Sequence, residues 1–213
     1  MASTPARSAK STAKKSSGLS QKERMEEAKK LEALDSGKAK GAKSKAPKAG
    51  KVPLTLSHPE RNDDFPNTYI AQIDVQLDDP DHPMTLTWTG ANADAQETGP
   101  FRTSPGAGVE GINCDITATS RKSGTKCTPK GTFTVEGFQY QLNSDSRAKY
   151  VTWFQQWRGI ALHYFPNVPT YAASHGCVRI ESKRVARLVQ DNSRVDRTKV
   201  VVSGTWTKPP HQW

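Results

Sequence analysis

The chain has 213 residues and a formal net charge of +10, and only 34% of its residues are hydrophobic, below the roughly 45–50% of an ordinary globular domain. Residues 1–51 hold 14 of the 31 basic residues but only 5 of the 21 acidic ones, so this segment carries +9 of the charge. The remainder is nearly neutral, which argues against a nucleic-acid-binding globular domain, and no apolar run reaches the roughly 18 residues that cross a bilayer.

The N-terminal segment, residues 1–51, is rich in Lys, Ala, Ser and Gly, and we expect it to be a disordered basic tail. A short helix is predicted at 20–34, where Ser20 and Glu23 fit a capping box. The segment lacks the apolar block of a secretory signal peptide. Three interpretations stay open: a solvated tail, a non-classical export or packaging signal for a secretion or injection apparatus, and an arm for an anionic surface.

Residues 52–213 have the length of one domain, and their patterns predict a mainly β fold. Helical spacing of aromatic residues predicts a helix at 145–157, and Ser182 as an N-cap predicts another at 182–190. The predicted strands and helices do not alternate regularly, so the pattern gives no support for a parallel sheet. Alternating or β-branched runs predict strands at 69–77, 84–89, 114–119, 131–138, 159–164 and 199–203.

The residue types with the most chemistry gather between His163 and Cys177, where Pro166 and Pro169 impose a loop. A strand that ends at His163 and folds back through this loop would place its imidazole beside Cys177. An imidazole that accepts the thiol proton makes cysteine nucleophilic near neutral pH. Gly176 permits the close backbone approach that an oxyanion-binding turn needs. The residues alone leave two alternatives, a buried inert cysteine with ordinary histidines, and a zinc site that lacks a nearby fourth ligand.

Two segments resemble one known family. Residues 174–180, Ser-His-Gly-Cys-Val-Arg-Ile, resemble the SHGCVR signature of the L,D-transpeptidase catalytic domain family (YkuD-like), and residues 160–163 resemble the strand that carries its histidine. Upstream, residues 128–133 are similar to the TPxGxF element of the same family. The resemblance covers roughly residues 69–205 and implies a β-sandwich with two or so inserted helices, preceded by the basic tail.

The resemblance implies a role for each residue of the signature. Cys177 would be the nucleophile and His163 the base that activates it. His175 and Gly176 would shape the nucleophile turn, with backbone N–H groups near Cys177 as the oxyanion hole. No metal or other cofactor is implied.

Substrate contacts are expected from Arg179, Ser174 and Tyr164. For Arg179, an ion pair with Glu181 or another carboxylate is the alternative. Tyr164 stands where the family commonly has a small residue, and only ten residues separate His163 from Ser174, where the family usually has a longer loop. Both departures bear on the width of the substrate groove, and they weaken the expectation of ordinary cross-linking more than that of a cysteine nucleophile.

The other two cysteines, Cys114 and Cys127, are candidates for a disulfide that would leave Cys177 free, and the alternative is that both are reduced. Four aromatic residues either line a groove or belong to the core. They are Trp153, Trp157, Tyr164 and Tyr171.

The function implied by the resemblance is an enzyme that acts in the bacterial cell envelope, the periplasm or cell wall, on peptidoglycan stem peptides. It would pass through a thioester on Cys177, as an L,D-transpeptidase, or as an L,D-carboxypeptidase if water takes the acyl group. One alternative keeps this chemistry in an antibacterial effector toxin delivered without a signal peptide. Another is a non-catalytic wall-binding module, against which the intact Cys177 and His163 argue.

Overall fold

The computed structural model describes residues 68–78 and 81–209. The predicted tail at 1–51, its helix at 20–34 and the predicted domain start at residue 52 lie outside these ranges. In the described part of the chain, no helix is both long and apolar enough to cross a membrane.

The described residues form a mainly β domain with few helices, as predicted. Its elements in chain order are β1 (Tyr69–Gln76), β2 (Met84–Thr89), a 3-10 turn (Ala93–Ala95), β3 (Thr103–Ser104), α1 (Thr117–Ser120), β4 (Gly131–Thr134), β5 (Gly137–Gln141), β6 (Lys149–Gln155), a second 3-10 turn (Gln156–Arg158), β7 (Ile160–Tyr164), β8 (Val178–Ile180), α2 (Lys183–Asn192) and β9 (Lys199–Ser203).

The strands build two mixed sheets. One has the order β2-β1-β9-β4 and the other the order β3-β8-β7-β6-β5. Strand β1 runs parallel to β9, and β7 runs parallel to β8, while the other pairs are antiparallel. Neither sheet is a purely parallel one, and the parallel pair β7–β8 arises without strand–helix alternation because a loop at 165–177 rather than a helix makes the crossover.

Side chains from both sheets and from α2 share one hydrophobic core. Its members include Ile73, Val75, Phe154, Leu162, Val178, Val200 and Val202. Helix α2 begins as predicted at the N-cap Ser182, whose hydroxyl accepts the Val185 N–H at 3.3 Å. The helix buries Val185, Ala186 and Val189 against this core.

Three predicted elements were wrong in type or extent. The segment predicted as a helix at 145–157 forms β6 and the second 3-10 turn, and the strand predicted at 114–119 is a loop followed by α1. The strand predicted at 131–138 is two strands, β4 and β5, which belong to different sheets. The chain crosses between the sheets at residues 135–136, a break that local composition does not signal.

Candidate active site

Cys177 and His163 are presented on the same face of two neighbouring strands. In the parallel register of β7 and β8, Leu162 pairs with Val178 and His163 pairs with Arg179. Leu162 and Val178 point into the core, and side chains alternate along a strand. His163 and Arg179 therefore point to the opposite face, as does Cys177, which directly precedes Val178.

The Cys177 thiol lies against the start of β7. Its Sγ donates to the Gly159 carbonyl at 3.4 Å, and the residue is half-buried and outside any disulfide. Burial raises the pKa of the thiol to about 11, while a hydrogen bond from the Ala161 backbone and the charge of Arg179 lower it. At neutral pH the resting group is therefore the thiol, so a nucleophilic thiolate requires a base.

His163 is a buried imidazole with a fixed orientation. Its side chain is 4% exposed, and Nδ1 lies 2.8 Å from the Tyr164 carbonyl. Burial lowers the pKa of the ring to about 4, helped by the Arg179 charge and opposed by the Tyr164 hydrogen bond and by Asp145. A carbonyl can only accept, so Nδ1 carries the proton and Nε2 holds the lone pair. Near neutral pH, His163 is thus a neutral base with Nε2 as its acceptor atom.

The turn before Cys177 is closed by hydrogen bonds of the Ser174 side chain. Ser174 Oγ donates to the Cys177 carbonyl and accepts the Gly176 N–H at 3.0 Å. Gly176 has φ of +124°, and a Cβ there would stand 2.5 Å from Ile160 Cδ1 and 3.2 Å from the Cys127 carbonyl oxygen. Only glycine fits this position, and the expected turn-shaping role of Gly176 has a steric basis.

Thr128 ties the turn to the rest of the domain. Its buried Oγ1 accepts the Gly106 N–H and donates to the Gly176 carbonyl, both at 2.8 Å. On the other side, the Ala107 N–H donates to the Ser174 carbonyl at 2.9 Å. The nucleophile turn is therefore pinned between residues 105–107 and residues 126–128.

A disulfide is attached to the segment that contains Thr128. Cys114 and Cys127 are bonded, with their Cα atoms 5.5 Å apart, and both are fully buried. The sequence left open whether these two cysteines are reduced or bonded, and in the structure they form a disulfide. Because Cys127 precedes Thr128, the bridge holds the segment that positions Gly176.

Arg179 makes no ion pair with a carboxylate in the described residues, and the alternative pairing with Glu181 was wrong. Glu181 instead accepts from Arg102. The Arg179 guanidinium lies over the Phe165 ring, 4.4 Å from its centroid, and donates to the Asn167 carbonyl at 3.4 Å. Its charge is thus held beside the His163 face without an anionic partner, which suits a substrate carboxylate or carbonyl.

Other predicted site residues take different positions. Ser174 is 3% exposed, and its hydroxyl bonds the backbone of the turn; its substrate contact stays a prediction. The Tyr164 ring packs against the core on the face opposite His163, and this residue contributes its carbonyl. His175 is exposed, and burial together with the charges of Lys126 and Arg179 lowers its pKa. Within the described ranges, no three His, Cys, Asp or Glu side chains are grouped to hold a metal.

The four aromatic residues considered for groove lining differ in their exposure. Trp153 and Tyr171 are half-buried, and Trp157 is exposed. Trp153 pairs with Ala161 across β6 and β7, which places it on the same sheet face as His163. Groove lining therefore stays a prediction for Trp153, Trp157 and Tyr171, while the partly buried Tyr164 ring packs against the core.

Sequence reasoning missed the residues that act through long-range contacts. Gly159 supplies the carbonyl that holds the thiol, and Thr128 supplies the bridge to Gly176. Thr128 is the first residue of the segment similar to the TPxGxF element, and this resemblance could have identified it as a residue of the site. No local pattern links it to a glycine 48 positions away.

We predict that Thr128→Val slows acylation of Cys177 by about tenfold or more, because small misplacements of reacting groups are costly. Valine keeps the shape but leaves the Gly106 N–H and the Gly176 carbonyl unpaired, which should lower the free energy of unfolding by about 1–3 kcal/mol. Stopped-flow acylation and urea unfolding measure the two effects. Thr128→Ser should restore both. A less stable Thr128→Val protein with a wild-type acylation rate would contradict the positioning role.

Comparison with known proteins identifies one family. The model of the L,D-transpeptidase catalytic domain (YkuD) matches residues 74–202, which run from β1 to β9 and contain both His163 and Cys177. No protein of curated function is significantly similar to this chain.

Two solved structures are similar in part. An L,D-transpeptidase from Xylanimonas cellulosilytica is 18% identical with a TM-score of 0.41, and the match covers 82% of this chain and 69% of that one. An L,D-transpeptidase (Yku) from Stackebrandtia nassauensis is 17% identical with a TM-score of 0.42, and the match covers 67% of this chain and 58% of that one.

Proposed function

Because the chain belongs to the L,D-transpeptidase catalytic domain family, we propose that it is a cysteine acyltransferase acting on peptidoglycan stem peptides. The observation that carries the proposal is the placement of a protonated thiol and a buried neutral imidazole on the same face of two adjacent strands. The Tyr164 carbonyl fixes the tautomer that leaves Nε2 free to accept a proton. A non-catalytic wall-binding module would have no need of this arrangement.

In the first half-reaction, the Cys177 thiol gives its proton to His163 Nε2 while sulfur attacks the carbonyl carbon of a peptide bond between an L-centre and a D-residue. The tetrahedral intermediate carries a negative oxygen, which needs N–H donors. Since the Gly176 N–H is committed to Ser174 Oγ, we assign the Cys177 N–H as the nearest donor. Collapse breaks the C–N bond, and the imidazolium returns its proton to the departing amine.

In the second half-reaction, the thioester on Cys177 is attacked by an acceptor. His163 Nε2 removes a proton from an amine or from water, the C–S bond breaks, and sulfur recovers the proton. An amine acceptor gives transpeptidation, and water gives hydrolysis, which is the carboxypeptidase reaction. Arg179, which is held beside Phe165 without a carboxylate partner in the described residues, would orient the substrate carboxylate or a backbone carbonyl.

Purified full-length protein incubated with isolated disaccharide-tetrapeptides tests the proposal. We expect loss of the terminal D-residue by mass, and exchange or cross-linking when an acceptor amine is added. The ratio of the two products identifies the preferred acceptor. Unchanged muropeptides under both conditions would contradict the proposed function.

The place of action proposed for this chemistry is the bacterial cell envelope. The effector alternative differs only in delivery, through a secretion or injection apparatus, and it depends on residues 1–51, which lie outside the described ranges. A reporter fused behind residues 1–50 tests that role separately from catalysis.

A further inference from the structure

The second 3-10 turn presents a large aromatic side chain to solvent. Trp157 is 72% exposed, more than any other large hydrophobic side chain in the described residues. A single exposed apolar residue is common on protein surfaces and does not identify a site. The attachment of this turn and its position beside the nucleophile carry the inference.

The turn that carries Trp157 is firmly held. The Arg158 guanidinium donates to the Ser120 carbonyl at 2.8 Å, to Gln155 Oε1 at 3.1 Å and to the Cys127 carbonyl at 3.4 Å. The same group reaches Thr125 Oγ1 at 3.4 Å. Neighbouring residues add bonds from the Gln156 N–H to Glu136 Oε2 at 2.6 Å and from the Gly159 N–H to the Gln156 carbonyl at 2.8 Å. An aromatic ring on such a support is preorganised, so a ligand that contacts it orders few groups on binding.

Only a short stretch of chain separates Trp157 from the residue that contacts the nucleophile. Gly159, two residues after Trp157, is exposed and gives its carbonyl to Cys177 Sγ. A Cβ built on Gly159 would meet nothing within 4 Å. Two residues span at most about 7 Å of chain, and the Gly159 carbonyl lies 3.4 Å from Cys177 Sγ. The backbone of Trp157 is therefore within about 13 Å of the reacting sulfur.

We propose that Trp157 is a stacking platform for a pyranose ring of the glycan strand whose stem peptide is attacked by Cys177. This proposal rests on the proposed function and extends it from the peptide to the sugar. A pyranose presents an apolar C–H face to the indole and hydroxyl groups around its rim, which the exposed amide of Gln156 can bind. In a tetrapeptide that loses its terminal D-residue, three stem residues lie between such a sugar and the attacked bond. At up to about 3.5 Å each they span about 10 Å, which is comparable to the distance from the Trp157 backbone to Cys177.

The test compares a disaccharide-tetrapeptide with the same tetrapeptide lacking sugar. In Trp157→Ala, the ratio of kcat/KM for the two substrates should fall about 3- to 10-fold, the range expected for one aromatic stacking contact. Trp157→Phe should retain most of the ratio. Tyr140→Ala removes another exposed aromatic side chain, on β5, and should leave the ratio at its wild-type value.

A binding measurement makes the result independent of turnover. Peptide-free glycan strands should bind Cys177→Ala and shift its tryptophan fluorescence, and the additional Trp157→Ala change should weaken that binding by a similar factor. Equal losses on both substrates would mean that Trp157 contacts the peptide, and unchanged ratios with unchanged glycan binding would mean that it contacts neither. Either outcome overturns the sugar platform while the proposed function stands. Wild-type protein that processes neither substrate would defeat the proposed function, and glycan binding would still decide the role of Trp157.

Discussion

Cys177→Ala is expected to lose turnover of muropeptides by at least about 10⁴-fold, because removing the nucleophile of a covalent mechanism leaves only binding and the oxyanion donors. Wild-type protein treated with a carbapenem, an acyl donor that the family resemblance implies, should gain the mass of one inhibitor molecule. The β-lactam carbonyl would form the same thioester on the same sulfur. Intact-mass spectrometry reads the adduct directly.

The other two cysteines supply an internal control for this experiment. Cys114 and Cys127 are buried in a disulfide and have no thiol to react, so one adduct per chain is expected without reduction. Cys177→Ala should gain no mass, and unfolding by urea should show that it keeps the wild-type fold. An adduct that persists in Cys177→Ala, or a wild-type chain that forms none, would remove Cys177 from the role of nucleophile.

Much of the fold follows from local pattern. The strands at β1, β2, β7 and β9 match the predicted segments within two residues, because each is a β-branched or alternating run between turn residues. Helix α2 follows from its N-cap and its apolar spacing. These elements are predictable since one short stretch of sequence contains both the propensity and the burial pattern.

Strand β6 shows where local pattern fails. Tyr150, Trp153, Phe154 and Trp157 recur at helical spacing, but Tyr150 to Phe154 is also an unbroken run of aromatic and β-branched residues. Pairing with β5 on one side and β7 on the other decides the outcome in favour of a strand. Both partner strands lie outside residues 145–157, so the composition of that segment alone does not reveal the pairing.

The candidate site also contains residues that sequence predicts and residues that it does not. Cys177 and His163 are found from residue type, from the loop between them and from the resemblance. The residues that support them are not, because Gly159 reaches Cys177 only when β7 and β8 are side by side. The Thr128–Gly176 bond likewise joins residues 48 positions apart. The inward packing of the Ser174 hydroxyl and the Tyr164 ring was also missed, because sequence cannot tell which way a side chain faces in a turn or strand.

The pH dependence of acylation distinguishes a general base from a preformed ion pair. With the pKa of His163 at about 4 and that of Cys177 at about 11, the free enzyme holds a neutral imidazole and a thiol across the neutral range. The acylation rate should therefore be nearly flat from about pH 5 to 9. It should fall below about pH 4, where Nε2 becomes protonated and can no longer accept the thiol proton.

His163→Asn removes the base but keeps a side-chain N–H for the Tyr164 carbonyl. Thiolate must then form by exchange with solvent, and at pH 7 a thiol with a pKa of about 11 is ionised to about one part in 10⁴. We expect a loss of about 10²–10⁴-fold at pH 7. The rate of the variant should rise about tenfold per pH unit and approach the wild-type rate near pH 11. Stopped-flow absorbance of a β-lactam across the pH range measures both profiles.

His175→Ala is the matched control, since His175 is an exposed imidazole two residues from the same sulfur. Its profile should keep the flat wild-type shape, whatever change its removal makes to the absolute rate through the turn. If His175→Ala instead became steep while His163→Asn stayed flat, the base would be His175. A wild-type profile that itself rose tenfold per pH unit would mean that neither histidine takes the proton, and the buried tautomer of His163 would have only a structural role.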